Sequence, residues 1–313
     1  VVIHDIQDAA RILAEGGVVA FPTETVYGLG ADALNAEAIA KVYALKGRPA
    51  NNPLIVHVAS IEMARSVTSQ WSETADKLAQ AFWPGPLTIV VPRHERVPEI
   101  VTGGGETVAL RMPAHEMARG LIETFGRPIV GPSANASGSI SPTLAAHVTQ
   151  SLGEGVPVLD GGPCERGIES TVVRVDQSSV SILRLGVIGR DEIARVVPVV
   201  DAPAQNAGDP LPSPGMLTRH YAPRTPTRVV EAGDVAGVLA EHPRAALISI
   251  TPTNLPGSIA MPADASSYAR RLYAALREAD AMDADLILVE RPGGIGPIWD
   301  AVRDRLCRAS ADH

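Results

Sequence analysis

The sequence predicts an α/β protein built in two units, and three observations carry that expectation. The chain has 313 residues, more than one compact core of roughly 150 residues usually holds. Apolar residues make up 45% and charged residues 20%, a globular balance able to bury a real core. Short apolar runs alternate with segments of helical periodicity, the pattern of a layered α/β fold. Aromatics are only 4%, so the core must be aliphatic. The 28 glycines and 26 prolines imply many short elements joined by tight turns.

The elements follow in order. Segment 5 to 16 sets Ile6, Ala9, Ala10, Ile12 and Leu13 on one helical face and stops at Gly16-Gly17. A buried strand, VVAF, comes next. Asn35 caps a helix carrying Ala38, Ile39, Val42 and Tyr43, which Gly47 closes, leaving Lys46 and Arg48 at its end. The run LIVHV after Pro53 is a strand, followed by helices near 60 to 67 and 73 to 82 and by strands LTIVV and TVALR (107 to 111). A helix at 115 to 125 leads to strand PIVG and the loop PSANASGSIS. A further helix is expected to start at Ser141-Pro142, with Ser141 as N-cap, before strands STVVRV and VSILRL. Periodicity then breaks in a proline-rich stretch, read as a linker. Beyond it, TRVVEA, helical 234 to 241, AALISI, helical 265 to 280, DLILVE and a helix near 298 to 309 form a smaller α/β unit. The domain expectation is therefore 1–198, a linker at 199–223, and 224–313.

Composition excludes several function classes. The net charge of −8 disfavours bulk electrostatic capture of nucleic acid or of an anionic membrane. Cys164 and Cys307 are far apart with no CxxC spacing, so neither a disulfide framework nor a zinc site is indicated, and a reducing cytosol fits. No apolar run approaches the ~20 residues that span a bilayer, so a soluble, cytoplasmic protein is expected.

No GxxxxGK[ST] loop is present: Gly103-Gly104-Gly105 lacks the following Lys, and Gly294-Ile295-Gly296 lacks a third correctly spaced Gly. Phosphates would need other partners, and Lys46, Arg48, Arg111 and Arg184, all beside strand ends or loops, are candidates. Taken singly, each fits a solvated surface charge equally well.

Read together, the segments FPTETVYGLGADA (21 to 33), KGRPANNPLIVHV (46 to 58), WPGPLTIV (83 to 90), TVALRMPAH (107 to 115), GPSANASGSISPT (131 to 143), GIESTVVRV (167 to 175), ILRLG (182 to 186) and SPGMLTRHYAP (213 to 223) closely resemble the L-threonylcarbamoyl-AMP synthase family in its long form. The resemblance is dense up to about residue 190, clear in the linker, and weaker in the last 90 residues. There the shared feature is a terminal helix like VRDRLCRAS, and Pro297-Ile298-Trp299-Asp300 stands ahead of it where smaller residues are expected. The resemblance implies a YrdC-like twisted open mixed sheet with flanking helices, plus a smaller Rossmann-like α/β C-terminal domain. It implies condensation of L-threonine, bicarbonate or CO2, and ATP to threonylcarbamoyl-AMP and pyrophosphate, which a separate transferase uses to modify tRNA. Strong direct binding of tRNA is not expected.

Threonine calls for a fixed cation and hydroxyl or carbonyl groups at short reach, and Arg111 suits its carboxylate. The family match adds Thr25, His57, Ser170 and the backbone at Gly131; read alone, His57 within LIVHV is a hydrogen-bonded core histidine. Charge growing at the α-phosphorus calls for preorganised cations. The family pairs KxR with SxN, here Lys46, Arg48, Ser133 and Asn135, as the catalytic set. It also brings Arg48, Asn52, Thr107, Ser133, Ser141, Arg184 and Tyr221 to the nucleotide. Glu24 and Glu169 are the nearest carboxylates, and their spacing defines no general base. Magnesium is expected to arrive with the triphosphate, since no carboxylate cluster forms a dedicated cage. Two other readings are an RNA-binding module, which the charge disfavours, and carbamoyl transfer as in hydrogenase-maturation proteins, whose extra metal-binding and acylphosphatase modules are not seen.

Overall fold

The structure, a computed structural model, describes residues 1–202, 220–253 and 255–311. Residues 203–219, including most of the stretch read as a linker and Ser213 to Arg219 of its motif, lie outside the described residues.

The first part of the chain runs β1 (Val2–Ile3), α1 (Ile6–Ala14), β2 (Val19–Phe21), β3 (Gly28–Asp32), α2 (Ala36–Lys46), β4 (Ile55–His57), α3 (Ile61–Arg65) and α4 (Glu73–Phe82). It continues with β5 (Leu87–Pro92), α5 (Glu99–Thr102), β6 (Thr107–Arg111), α6 (Glu116–Phe125), β7 (Ile129–Val130), α7 (Ala145–Leu152), β8 (Val158–Leu159), β9 (Thr171–Asp176), β10 (Ser179–Arg184), α8 (Arg190–Ala194) and β11 (Val199–Val200). The eleven strands form one mixed sheet, ordered β1-β8-β2-β3-β7-β4-β6-β5-β9-β10-β11. At α2 both ends fall where the sequence places them: Asn35 accepts from the Glu37 and Ala38 amides, and Gly47 ends the helix in the left-handed region.

The second part runs β12 (Thr227–Val230), α9 (Val235–Glu241), β13 (Ala246–Ser249), β14 (Ser258–Ala260), α10 (Ala265–Asp280), β15 (Ile287–Glu290) and α11 (Pro297–Ala309). Its four strands are all parallel, ordered β12-β15-β13-β14, so the last strand is inserted between the first and second. An apolar cluster continues across the boundary: Val26, Ile140 and Ile168 pack with Tyr268, Leu272 and Val302. At Gly167 a Cβ would stand 2.4 Å from the Arg270 Cα, so the loop ahead of β9 meets the backbone of α10 directly.

Three expectations change. The helix assigned to Ser141-Pro142 begins at Ala145 with Leu144 at its N-cap, and Ser141 bonds elsewhere. Pro297 to Asp300 are the first turn of α11 rather than a segment ahead of it; Trp299 packs edge-on to Tyr268. Val199 and Val200, read as linker, extend the first sheet beside β10.

Candidate active site

A cavity opens over the middle of the large sheet, lined by Thr23, Thr25 and Val26 before β3, by Gly28 at its start, by Arg48 beyond α2, by Ile55 and His57 of β4, by Arg111 of β6, by Gly131 to Ser133 after β7, by Glu169, by Arg184, and by His220 and Tyr221. Register explains the grouping. His57 pairs with Arg111 and Ile55 with Ala109, and because side chains alternate along a strand, Thr107, Ala109 and Arg111 share the face of Ile55 and His57. One end of this floor is charged at Arg111; the other carries Thr107, about 13 Å away at ~3.3 Å per residue.

At the first end, Arg111 is held on several sides. Its Nη1 donates to Thr25 Oγ1 (2.8 Å) and its Nε to the Gly85 carbonyl (3.3 Å). Glu24 Oε1 lies 2.8 Å from Nη2 as a buried ion pair. A guanidinium has five N–H groups in a planar fork, so donors on Nη1 and Nη2 stay uncommitted. His57 stands edge-on to Phe21; burial, reinforced by Arg111, drives its pKa to about 3. It is therefore a neutral imidazole at neutral pH, and its Nδ1 has no hydrogen-bond partner among the described residues. Gly131 makes room for that ring: a Cβ there would lie 2.7 Å from His57 Nδ1. Ser170 sits just behind, its hydroxyl 2.7 Å from Thr88 Oγ1 and accepting from Arg184 Nη2 (3.0 Å).

At the second end, Arg48 donates from Nε to the Asn52 carbonyl (3.0 Å) and from Nη2 to Asn52 Oδ1 (2.6 Å) and the Pro53 carbonyl (2.7 Å). Asn52 thus orients Arg48 from outside the cavity lining. Burial pulls Arg48 down to about 10, still a cation at neutral pH. Lys46 is buried, and its Nζ donates to the carbonyls of Ser133 and Asn135, 2.6 Å each. The Asn135 amide nitrogen donates within its own loop, to Ala136 O and Ser139 O. Of the expected catalytic four, Arg48 and Ser133 line the cavity, whereas Lys46 and Asn135 shape the loop that presents Ser133. Thr107 is on the floor's face but outside the lining.

Ser141 Oγ donates to Glu169 Oε1 (2.6 Å). Arg184 donates from Nε to the Ser170 carbonyl (3.1 Å). Tyr221, at a left-handed φ of 62°, is buried between Tyr273, stacked at 5.8 Å, and the cavity. His220, beside it, is driven to about 3 by burial. Sequence reasoning missed His220, Tyr273 and Arg305; only His220, adjacent to Tyr221 in the linker motif, carried a local signal. With His220 and Tyr221 seated, the cavity holds about 50 Å³, room for a few water molecules. Among the described residues no group of three or more His, Cys, Asp or Glu could hold a metal ion.

The fold and cavity together define a two-unit α/β protein whose site, with three arginines around it, is built for anionic ligands. Residues 11–186 match the Sua5/YciO/YrdC family, described as telomere recombination, and residues 188–311 match the threonylcarbamoyl-AMP synthase C-terminal domain. The chain is 41% identical to the threonylcarbamoyl-AMP synthase of Pyrococcus abyssi, covering 97% of this chain and 94% of that one. It is 40% identical to the Bacillus subtilis enzyme of the same name, covering 97% and 92%. It superimposes on P. abyssi Sua5 complexed with L-threonine at a TM-score of 0.91 and 38% identity, covering 99% and 97%. The chain belongs to the threonylcarbamoyl-AMP synthase family.

Proposed function

We propose that this chain condenses L-threonine, bicarbonate or CO2, and ATP into threonylcarbamoyl-AMP and pyrophosphate. Full-length similarity to enzymes of that name and the threonine complex of the P. abyssi protein support the reading. The observation that carries it is the two-ended floor: a buried, Glu24-braced Arg111 beside neutral His57 at one end, and Arg48 with the Ser133 loop at the other.

The threonine carboxylate takes the uncommitted N–H groups of Arg111, with Thr25, Gly131 and Ser170 completing the pocket and His57 reading the hydroxyl. The neutral amine forms an N–C bond to CO2, releasing a proton to solvent and giving a carbamate. A carbamate oxygen then attacks the α-phosphorus, and the bond to the β-phosphate oxygen breaks to release pyrophosphate. Arg48, Arg184 and the Ser133 hydroxyl face the charge that builds there; Lys46 and Asn135 hold the loop, and Asn52, Thr107, Ser141 and Tyr221 accommodate the nucleotide. Catalysis is by positioning and charge stabilisation. Magnesium, in this reading, travels on the triphosphate; the hydroxyl of Ser133 fits beside it, whereas Glu169, the carboxylate in the lining, is taken up by Ser141, Tyr273 and Arg305.

Tyr221 and His220 must move for nucleotide to enter, so these two residues, between the expected catalytic unit (1–198) and smaller unit (224–313), cover the cavity and shield the mixed anhydride from water. The product passes to a separate transferase acting on tRNA, in the cytoplasm. The test incubates purified protein with ATP, magnesium, radiolabelled bicarbonate and each amino acid in turn. A labelled adenylate is expected with threonine; its absence refutes the proposal.

A further inference from the structure

Helix α11 of the second unit reaches the cavity wall at Glu169 and Tyr221. Arg305 on α11 is 1% exposed, and all its guanidinium nitrogens are engaged. Nε donates to Glu169 Oε2 (2.9 Å), Nη2 to the Leu185 carbonyl (2.8 Å) and Nη1 to Asp304 Oδ2 (2.7 Å). The guanidinium carbon stands 5.2 Å from the centre of the Tyr221 ring, within cation–π range. Glu169 also accepts from Ser141 Oγ (2.6 Å) and from the Tyr273 hydroxyl (2.9 Å). One carboxylate therefore joins the loop after β7, α10 and α11 directly beneath Tyr221.

Docking of the two units has its own apolar contacts. A buried ion pair is often no more stabilising than apolar packing of the same volume, while loss of one partner leaves an uncompensated charge. A network of this kind beside the cavity points to a task other than adhesion. We propose that Arg305 is a positioning residue supplied by the second unit: through Glu169 it fixes the Ser141 hydroxyl, and its guanidinium supports the Tyr221 ring, so the nucleotide end of the cavity is complete only when α11 is docked. The inference rests on the proposed function, in which Ser141 and Tyr221 meet the nucleotide.

The groups facing Glu169 are Arg305 of α11, Tyr273 of α10, Arg184 of β10, Ser141, and Tyr221 and His220 of the linker end. Burial alone would raise the Glu169 carboxyl; Arg305 first, then Arg184, outweigh it and hold it below its ordinary value. Removing Arg305 makes Glu169 protonate at higher pH, and the neutral acid is the less disruptive form once its partner is gone.

The test measures KM for ATP and the Kd for threonine in full-length wild type, Arg305→Met, Glu169→Gln and the double variant, with melting temperatures as the folding check. Arg305→Met is expected to raise the ATP KM about tenfold near pH 8, with threonine affinity within about twofold of wild type. The defect shrinks as the pH is lowered and Glu169 takes up a proton, and Glu169→Gln placed on Arg305→Met recovers most of it. A wild-type ATP KM in folded Arg305→Met overturns the inference. So does a parallel loss for both substrates at every pH, the mark of a merely structural role. If Arg305→Met does not fold, Glu169→Gln alone decides: an ATP KM raised severalfold with threonine binding unchanged supports the coupling, and wild-type constants overturn it. Wild type forming no adenylate refutes the proposed function instead; wild type and variant forming it equally well refute only this inference.

Discussion

Replacing Lys46 with Met separates two roles that a lysine beside a phosphate site can have. Its Nζ spans the carbonyls of Ser133 and Asn135, 2.6 Å from each. Charge-assisted bonds of this kind contribute about 1.5–3 kcal/mol apiece. Against that stands the cost of burying the ammonium, which, together with the neighbouring Arg48, pulls Lys46 well below its ordinary pKa. Methionine fills similar volume but leaves both carbonyls short of a donor in the interior, so a net loss of about 3 kcal/mol is expected. The loop carrying Ser133 then loses its anchor, and turnover should fall by about 100-fold. Urea unfolding reads the first quantity and adenylate formation at saturating ATP the second. Full stability with turnover abolished would refute the reasoning, since Lys46 would then act on phosphate and not on the loop; lost stability with intact turnover would show that the loop's placement is immaterial.

Two further outcomes follow from the same geometry. The His57 imidazole has a pKa of about 3 in the folded chain against an ordinary 6.5, so between those values the unfolded chain binds the additional proton. Stability therefore falls as pH drops through this window, by on the order of 5 kcal/mol once below it. His57→Gln should flatten that dependence in denaturant titrations from pH 7 downward, and an unchanged slope would contradict the assignment. Gly131→Ala sets a methyl 2.7 Å from His57 Nδ1 and 2.8 Å from Phe21 Cζ, rings that are both buried. A destabilisation of about 1–3 kcal/mol and a threonine KM raised at least about tenfold, with the ATP KM much less affected, are expected from melting and steady-state assays. A wild-type threonine KM would refute it.

Most helices and long strands were legible because their signals are local. Asn35 and Gly47 bracket α2, and the apolar runs of β5 and β6 read directly as buried strands. β3 was not, because GLGAD has the composition of a turn; Gly28 and Gly30 lie in a strand since the Phe21 ring packs where their Cβ atoms would be. Ser141-Pro142 carried the local signature of a helix start, but the Ser141 hydroxyl is spent on Glu169 and the helix begins later. Within the candidate site, the residue types of Arg48, Arg111 and Arg184 pointed to anions, while the destination of Lys46 could not be read, since a cation at a helix end looks the same whether it meets a phosphate or a carbonyl. The Arg305 contact with Glu169 spans 136 positions, and no local pattern encodes it.

The pairing of β4 with β6 gives the floor a fixed gauge. In the proposed arrangement Arg111 grips the amino acid and Thr107 marks the nucleotide side, and their separation is set by strand pitch, which backbone hydrogen bonds do not allow to stretch. Lengthening it while keeping both side chains on one face takes a two-residue step, about 6.6 Å, far more than one methylene. In that arrangement the distance between the amino-acid end and the nucleotide end belongs to the sheet, while the fit around each ligand falls to the loop residues that line the cavity.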